Sequence, residues 1–137
     1  MQLVIDANII MSILINPGKP LDTFFREEIE IFAPELLFEE IDANKDLIIK
    51  KTEFNKKEIN TFIDILKSKI KIIPEEEFLE YREKSEKVCP DPKDITYFAL
   101  ALHLQCPIWS NEKKLKQQSE IRVYASHDLI KLFELDD

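Results

Sequence analysis

The chain contains a single glycine, Gly18, in 137 residues. That scarcity excludes the glycine-rich loops that cradle nucleotide phosphates, so neither a P-loop nor a dinucleotide-binding fingerprint fits. Cysteine is nearly as rare. Cys89 and Cys106 form no metal-ligand spacing and read as two free thiols suited to a reducing, cytoplasmic setting. The two histidines, His103 and His127, also lack the spacing of a zinc site. No apolar run is long enough to span a bilayer, and no signal peptide precedes the first strand, so no membrane partner is expected. Linkers, repeats and low-complexity segments are missing too. What remains is one soluble domain over residues 1–137, with 45% apolar residues to build a core.

The formal charge of −8 speaks against nucleic acid as a partner, because phosphate binding relies on Lys and Arg. Its distribution reopens the question. Eight Lys and four acids lie between Lys45 and Lys71, whereas the rest of the chain holds eleven basic and twenty-three acidic residues. Such blocks commonly do no more than solvate a helix face. A basic stretch beside acidic clusters is also what a metal-dependent enzyme acting on phosphates needs. Lys50 and Lys51 are therefore candidate substrate contacts. Lys113, in the cluster Lys113, Lys114 and Lys116, is another, although a solvated helix explains that cluster as well.

Strand and helix patterns alternate along the chain. Residues 2–5 read as a strand running into Asp6, and Ile9, Ile10, Ile13 and Leu14 follow at helical spacing. After a turn at 16–20, a helix is expected from about Leu21 to Glu28 with Phe24 and Phe25 inward. A strand at 29–33 precedes Pro34, which is expected to open a helix running to about Lys51. Asn55 should cap a helix carrying Ile59, Phe62, Ile63 and Leu66. A strand at 70–73 leads to a charged helix with Phe78 and Tyr81, ending near Val88. The most apolar helix starts at Asp91-Pro92 and ends near Gln105. Short strands at 107–109 and 121–125 follow, and Ser126 should cap a last helix through Phe133. This order implies a parallel sheet with helices on both faces.

Acidic residues stand where such sheets place ligands. Asp6 follows the first strand, although as an N-cap it has an equally good structural reading. In projection, Leu36, Leu37, Ile41, Leu47 and Ile48 define an apolar arc that contains Glu40 and excludes Glu39. A glutamate on a buried stripe needs a partner, either a lysine or a shared cation. Asp94 lies on the first turn of the apolar helix, where Asp91 and Pro92 already make a complete start signal. Glu112 follows the strand 107–109 in the run Ser110-Asn111-Glu112. Several carboxylates share a small pocket only if a cation neutralises them, and an all-oxygen set points to one or two Mg²⁺ or Mn²⁺ ions.

The chain resembles the PIN-domain family, small metal-dependent nucleases that include the VapC-type toxins. Four stretches over nearly the whole length carry the resemblance: Asp6-Ala7-Asn8, Glu40-Ile41, Asp94 with Ala99 and Ala101, and Ser110-Asn111-Glu112. The family's last acid is usually Asp or Asn, which leaves open whether Glu112 or Asn111 reaches the metal. The resemblance implies a three-layer α/β/α sandwich on a mainly parallel sheet, and hydrolysis of RNA phosphodiester bonds. Asp6, Glu40, Asp94 and Glu112 become the catalytic, metal-holding acids. Asn8 and Ser110 become supporting residues that orient neighbours or a bound water. An RNA substrate, an antitoxin protein and a homodimer are the partners the family suggests. The main alternative is a catalytically weak scaffold on the same fold that binds RNA or protein. A phospho-receiver is discarded for want of a paired acid after the first strand, and an Asp-x-Asp phosphatase fails at Asn8.

Overall fold

The computed structural model describes residues 1–134 and shows a sheet of five strands, every pair parallel, in the order β3-β2-β1-β4-β5. The strands are β1 (Gln2–Ile5), β2 (Glu30–Pro34), β3 (Ile70–Ile73), β4 (Ile108–Trp109) and β5 (Val123–Tyr124). Among the described residues eight α-helices surround them: α1 (Ala7–Ile15), α2 (Gly18–Phe24), α3 (Leu36–Ala43), α4 (Lys45–Lys50), α5 (Lys56–Lys67), α6 (Arg82–Val88), α7 (Ile95–Leu104) and α8 (Ser126–Glu134). The result is the expected three-layer α/β/α arrangement.

β1 is the central strand, and Leu3, Val4 and Ile5 are all fully buried, as a strand covered on both faces must be. One edge of β1 pairs with β2 and the other with β4, so chain order reverses there. In open parallel sheets that reversal is where ligands bind, at the carboxyl ends of the strands. Asp6 and Ser110 are the residues that directly follow β1 and β4.

The helices form for local reasons. α1 is rich in Ile, a mediocre helix former, but Ile9, Ile10, Ile13 and Leu14 are buried and the Asp6 side chain caps its first turn. α5 has a full capping box, in which Glu58 N–H donates to Asn55 Oδ1 (2.9 Å) and Asn55 N–H donates to Glu58 Oε1 (3.1 Å). α7 is buried along most of its length and packs on β1, β2 and β4. Gln105 ends it in a left-handed conformation (φ 53°). Ser85, on α6, donates to the Ile95 carbonyl (2.7 Å) and so pins the first turn of α7 to its neighbour.

Several local expectations need correction. The second helix begins at Gly18 and ends at Phe24, and Phe25 is exposed rather than inward. Pro34 does not open a helix. It is the last residue of β2, paired with Ile73, and α3 starts after it. The single helix expected to reach Lys51 is two helices, because the Asn44 side chain folds back onto the Glu40 carbonyl (2.8 Å) and ends the first. The break turns Leu47 out to solvent and leaves Ile48 in the core. Phe78 and Tyr81 lie on tight single turns before α6, not within it. Ser126 opens α8, but its hydroxyl accepts the Trp109 indole N–H (3.0 Å), while Asp128 reaches back to the Ala125 N–H (2.9 Å).

Candidate active site

Asp6 leaves β1 in an extended conformation (φ −92°, ψ 164°), which aims its side chain along the start of α1. Its Oδ1 accepts the Ile9 N–H at 3.0 Å, so the N-cap reading of this residue is correct. The carboxylate is also 97% buried and hydrogen-bonded by the Ser110 hydroxyl. The same Ser110 oxygen accepts the Glu112 N–H at 3.1 Å. One buried hydroxyl thus ties the end of β1 to the loop after β4. Asp6 is both a cap and a member of the site.

Asp94 closes a tight turn, Pro92–Asp94, on which Asp91 is the cap: its Oδ1 accepts the Lys93 N–H at 3.2 Å. Since Asp91 does the capping, the Asp94 carboxylate has no capping bond to make. It is 94% buried, and its Oδ2 has no hydrogen-bond partner. Glu40 sits half-buried on α3 and Glu39 is exposed, as the projection of that helix predicts. Glu112 is likewise half-buried, with Oε2 3.5 Å from the Lys93 ammonium.

The four acids share one electrostatic environment. Burial, more than anything else, pushes the Asp6 carboxyl above its ordinary range, with Ser110 and Ile9 opposing and Glu112 adding to the rise. Glu40 is raised first by burial and then by Asp6 and Glu39, against a restraint from Tyr97. Asp94 is raised to about 7 by burial, with Asp6, Asp91 and Glu112 adding repulsion. A carboxyl group with an orphaned oxygen, crowded by like charges, is a place for a cation. The donor set is all oxygen, which fits Mg²⁺ or Mn²⁺. Among the described residues, however, no three acidic, histidine or cysteine side chains already form a closed cage.

The remaining candidates are distributed around this cluster. Ser110 lies within it. Asn111 turns away, its Oδ1 accepting the Ser126 N–H at 2.8 Å, and so fastens the loop to the start of α8. Asn8 is exposed and lines a cavity of about 400 Å³ between α1 and α4, together with Leu47 and Lys51. Lys50 is exposed on α4. Lys113 is exposed and lines a larger cavity of about 650 Å³ with Glu112, His127 and Ile130.

The basic stretch does not act as one face. Lys45 pairs with Asp42, Lys67 lies over the Phe38 ring, Lys69 donates to the Arg26 carbonyl, and Lys71 pairs with Glu30. Lys50, Lys51, Lys56 and Lys57 make no ion pair among the described residues. His103 packs at a tilt against the Tyr81 ring and His127 is exposed beside Asp128, so neither joins the acids.

Two residues of the site escape the sequence reading. Tyr97 is 99% buried, and its hydroxyl faces Glu40 without closing a hydrogen bond of normal geometry. Its signal was its position three residues after Asp94, which places both on one helix face. Lys93 bridges Asp91 and Glu112 at the mouth of the site. A lysine beside an N-cap has no distinguishing pattern in sequence.

No curated protein matches the chain significantly. Among solved structures, the chain is similar to VapBC2 from Rickettsia felis bound to a DNA fragment from their promoter. That match has a TM-score of 0.65 and 17% identity, and covers 91% of this chain and 98% of the other. At that identity the likeness concerns the fold alone. A family model described as the PIN domain matches residues 4–123, which contain all four acids. By that match across most of its length, the chain belongs to the PIN-domain family.

Proposed function

We propose that this protein is a Mg²⁺- or Mn²⁺-dependent endoribonuclease. The observation that carries the reading is the unpartnered, buried Oδ2 of Asp94 in the common field of Asp6, Glu40 and Glu112. Asp6, Glu40 and Asp94 would hold the ion or ions, with Glu112 completing the set. Bound there, a divalent ion would supply activation of a water and neutralisation of phosphate charge for in-line displacement. The protein's own groups prepare the site. Ser110 holds Asp6 and the Glu112 backbone in register, and Tyr97 presents its hydroxyl to Glu40 from a rigid buried helix. Lys51, which lines the cavity between α1 and α4 with Asn8, and its exposed neighbour Lys50 would contact a strand's phosphates. Similarity to a VapBC complex supports a toxin role with an antitoxin protein as partner, and family membership supports a homodimer in the cytoplasm.

Incubating the purified protein with total RNA and Mn²⁺, then mapping the ends, tests this reading. We expect endonucleolytic cuts in single strands or loops that vanish in EDTA and in Asp6→Asn, with Zn²⁺ and Ca²⁺ as poor substitutes. Undiminished cleavage in EDTA by a preparation free of contaminating nuclease would end the metal hypothesis. A scaffold on this fold would instead show neither cleavage nor stabilisation by Mn²⁺.

The basic contacts have their own measurement. Replacing Lys50 and Lys51 by Gln should weaken RNA binding and lower the slope of log affinity against log salt by about 1. An unchanged slope would return both lysines to solvent-facing roles.

A further inference from the structure

The Lys93 ammonium lies 3.5 Å from Glu112 Oε2 and 3.7 Å from Asp91 Oδ2, and its side chain is 60% exposed. Asp91 is divided between two tasks. One oxygen accepts the Lys93 backbone N–H and fixes the turn, and the other holds the same residue's ammonium over the cluster. The charge of Lys93 also reaches Asp6, Glu40 and Asp94. Among the described residues it is the cation brought to these four acids.

We propose that Lys93 is a built-in competitor of the divalent ion: it occupies Glu112 in the ion-free protein and must give that carboxylate up when the ion binds. The inference rests on the proposed metal-dependent function and adds a regulatory element to it. Two positive centres cannot both take full advantage of one carboxylate at short range. The lysine therefore raises the divalent concentration at which the site fills. Because its stem is mostly in solvent, it can swing outward without disturbing the core. As a positioning residue it acts through Glu112.

Calorimetric titration of Mn²⁺ into the ion-free protein tests this without reference to cleavage. Lys93→Met should tighten Mn²⁺ binding about 3- to 10-fold, the scale of two exposed ion pairs. Lys93→Gln should do the same, and Lys93→Arg should stay within about twofold of wild type. Lys131→Met, at an exposed lysine that makes no ion pair among the described residues, should change nothing. Equal or weaker Mn²⁺ binding by Lys93→Met and Lys93→Gln overturns the role of Lys93 alone. If the wild type binds no Mn²⁺ and Asp6→Asn is indistinguishable from it, the metal-dependent reading and this inference fall together.

Discussion

Glu40→Gln is expected to abolish Mn²⁺-dependent cleavage, with a loss of about 10³-fold or more, whereas Glu39→Gln should stay within about twofold of wild type. The two residues are adjacent on α3, so composition, net charge and helix propensity change almost identically. They differ in direction. Glu40 turns into the field of Asp6 and faces the Tyr97 hydroxyl, and Glu39 turns to solvent. A glutamine at 40 keeps the side chain's volume and loses the charge that the proposed site needs to hold a cation. Rates measured on one RNA at saturating Mn²⁺ decide the matter. Loss at Glu39 with retention at Glu40 would mean that α3 presents the opposite face to the substrate.

The second large effect is on stability. Asp94→Asn should raise the melting temperature of the ion-free protein at pH 8 by about 3–8 °C, equivalent to roughly 1–2 kcal/mol. The wild-type carboxylate is buried, lacks a partner for one oxygen, and is repelled by Asp6, Asp91 and Glu112. Its carboxyl is raised from 3.8 to about 7, so the folded protein binds a proton here that the unfolded chain has already lost. Stability from this group is therefore complete below pH 4 and is lost as pH rises through about 7. The advantage of the variant should accordingly vanish below about pH 4, grow through pH 5–7 and be full at pH 8. Glu28 and Asp128, which are held low, act in the opposite sense but are common to both proteins. Adding Mn²⁺ should stabilise the wild type far more than the variant. Because a divalent ion held by Asp94 would have to displace its proton, wild-type affinity for Mn²⁺ should also climb between pH 6 and 8. A lower melting temperature for Asp94→Asn in EDTA at pH 8 would show that the carboxylate is stabilising.

The legibility of this chain in sequence followed physical lines. Periodicity revealed the layers and the orientation of Glu40, because burial of an apolar stripe is a property of many residues at once. Cap chemistry located Asn55 correctly; Asp91 is a cap as well, but of the tight turn Pro92–Asp94, and the apolar helix expected to start there begins only at Ile95. Pro34 was misread because a missing N–H suits a first helical turn and the end of a strand equally well. The break at Asn44 was hidden by its own side chain, which competes for a carbonyl that only the folded helix presents. Lys93 and Tyr97 were invisible as site residues because their partners lie on other elements. The orphaned oxygen of Asp94 was not legible, since it depends on Asp91 having already taken the capping bond.

The central place of β1 also has a consequence in time. Val4 pairs with β2 after fewer than about thirty residues of chain, but with Ile108 only after roughly a hundred. At translation speeds of about 5–20 residues per second, the second edge of β1 waits some 5–20 s for its neighbour. During that interval Asp6 has neither Ser110 nor Glu112 beside it, and an apolar edge stays open to capture by chaperones or proteases. An incomplete nascent chain therefore holds only part of the acid cluster, and any cutting power arrives late, once the last third of the protein has docked. Under the proposed function, message being read to make the protein would in this way be shielded from it until the reading is nearly done.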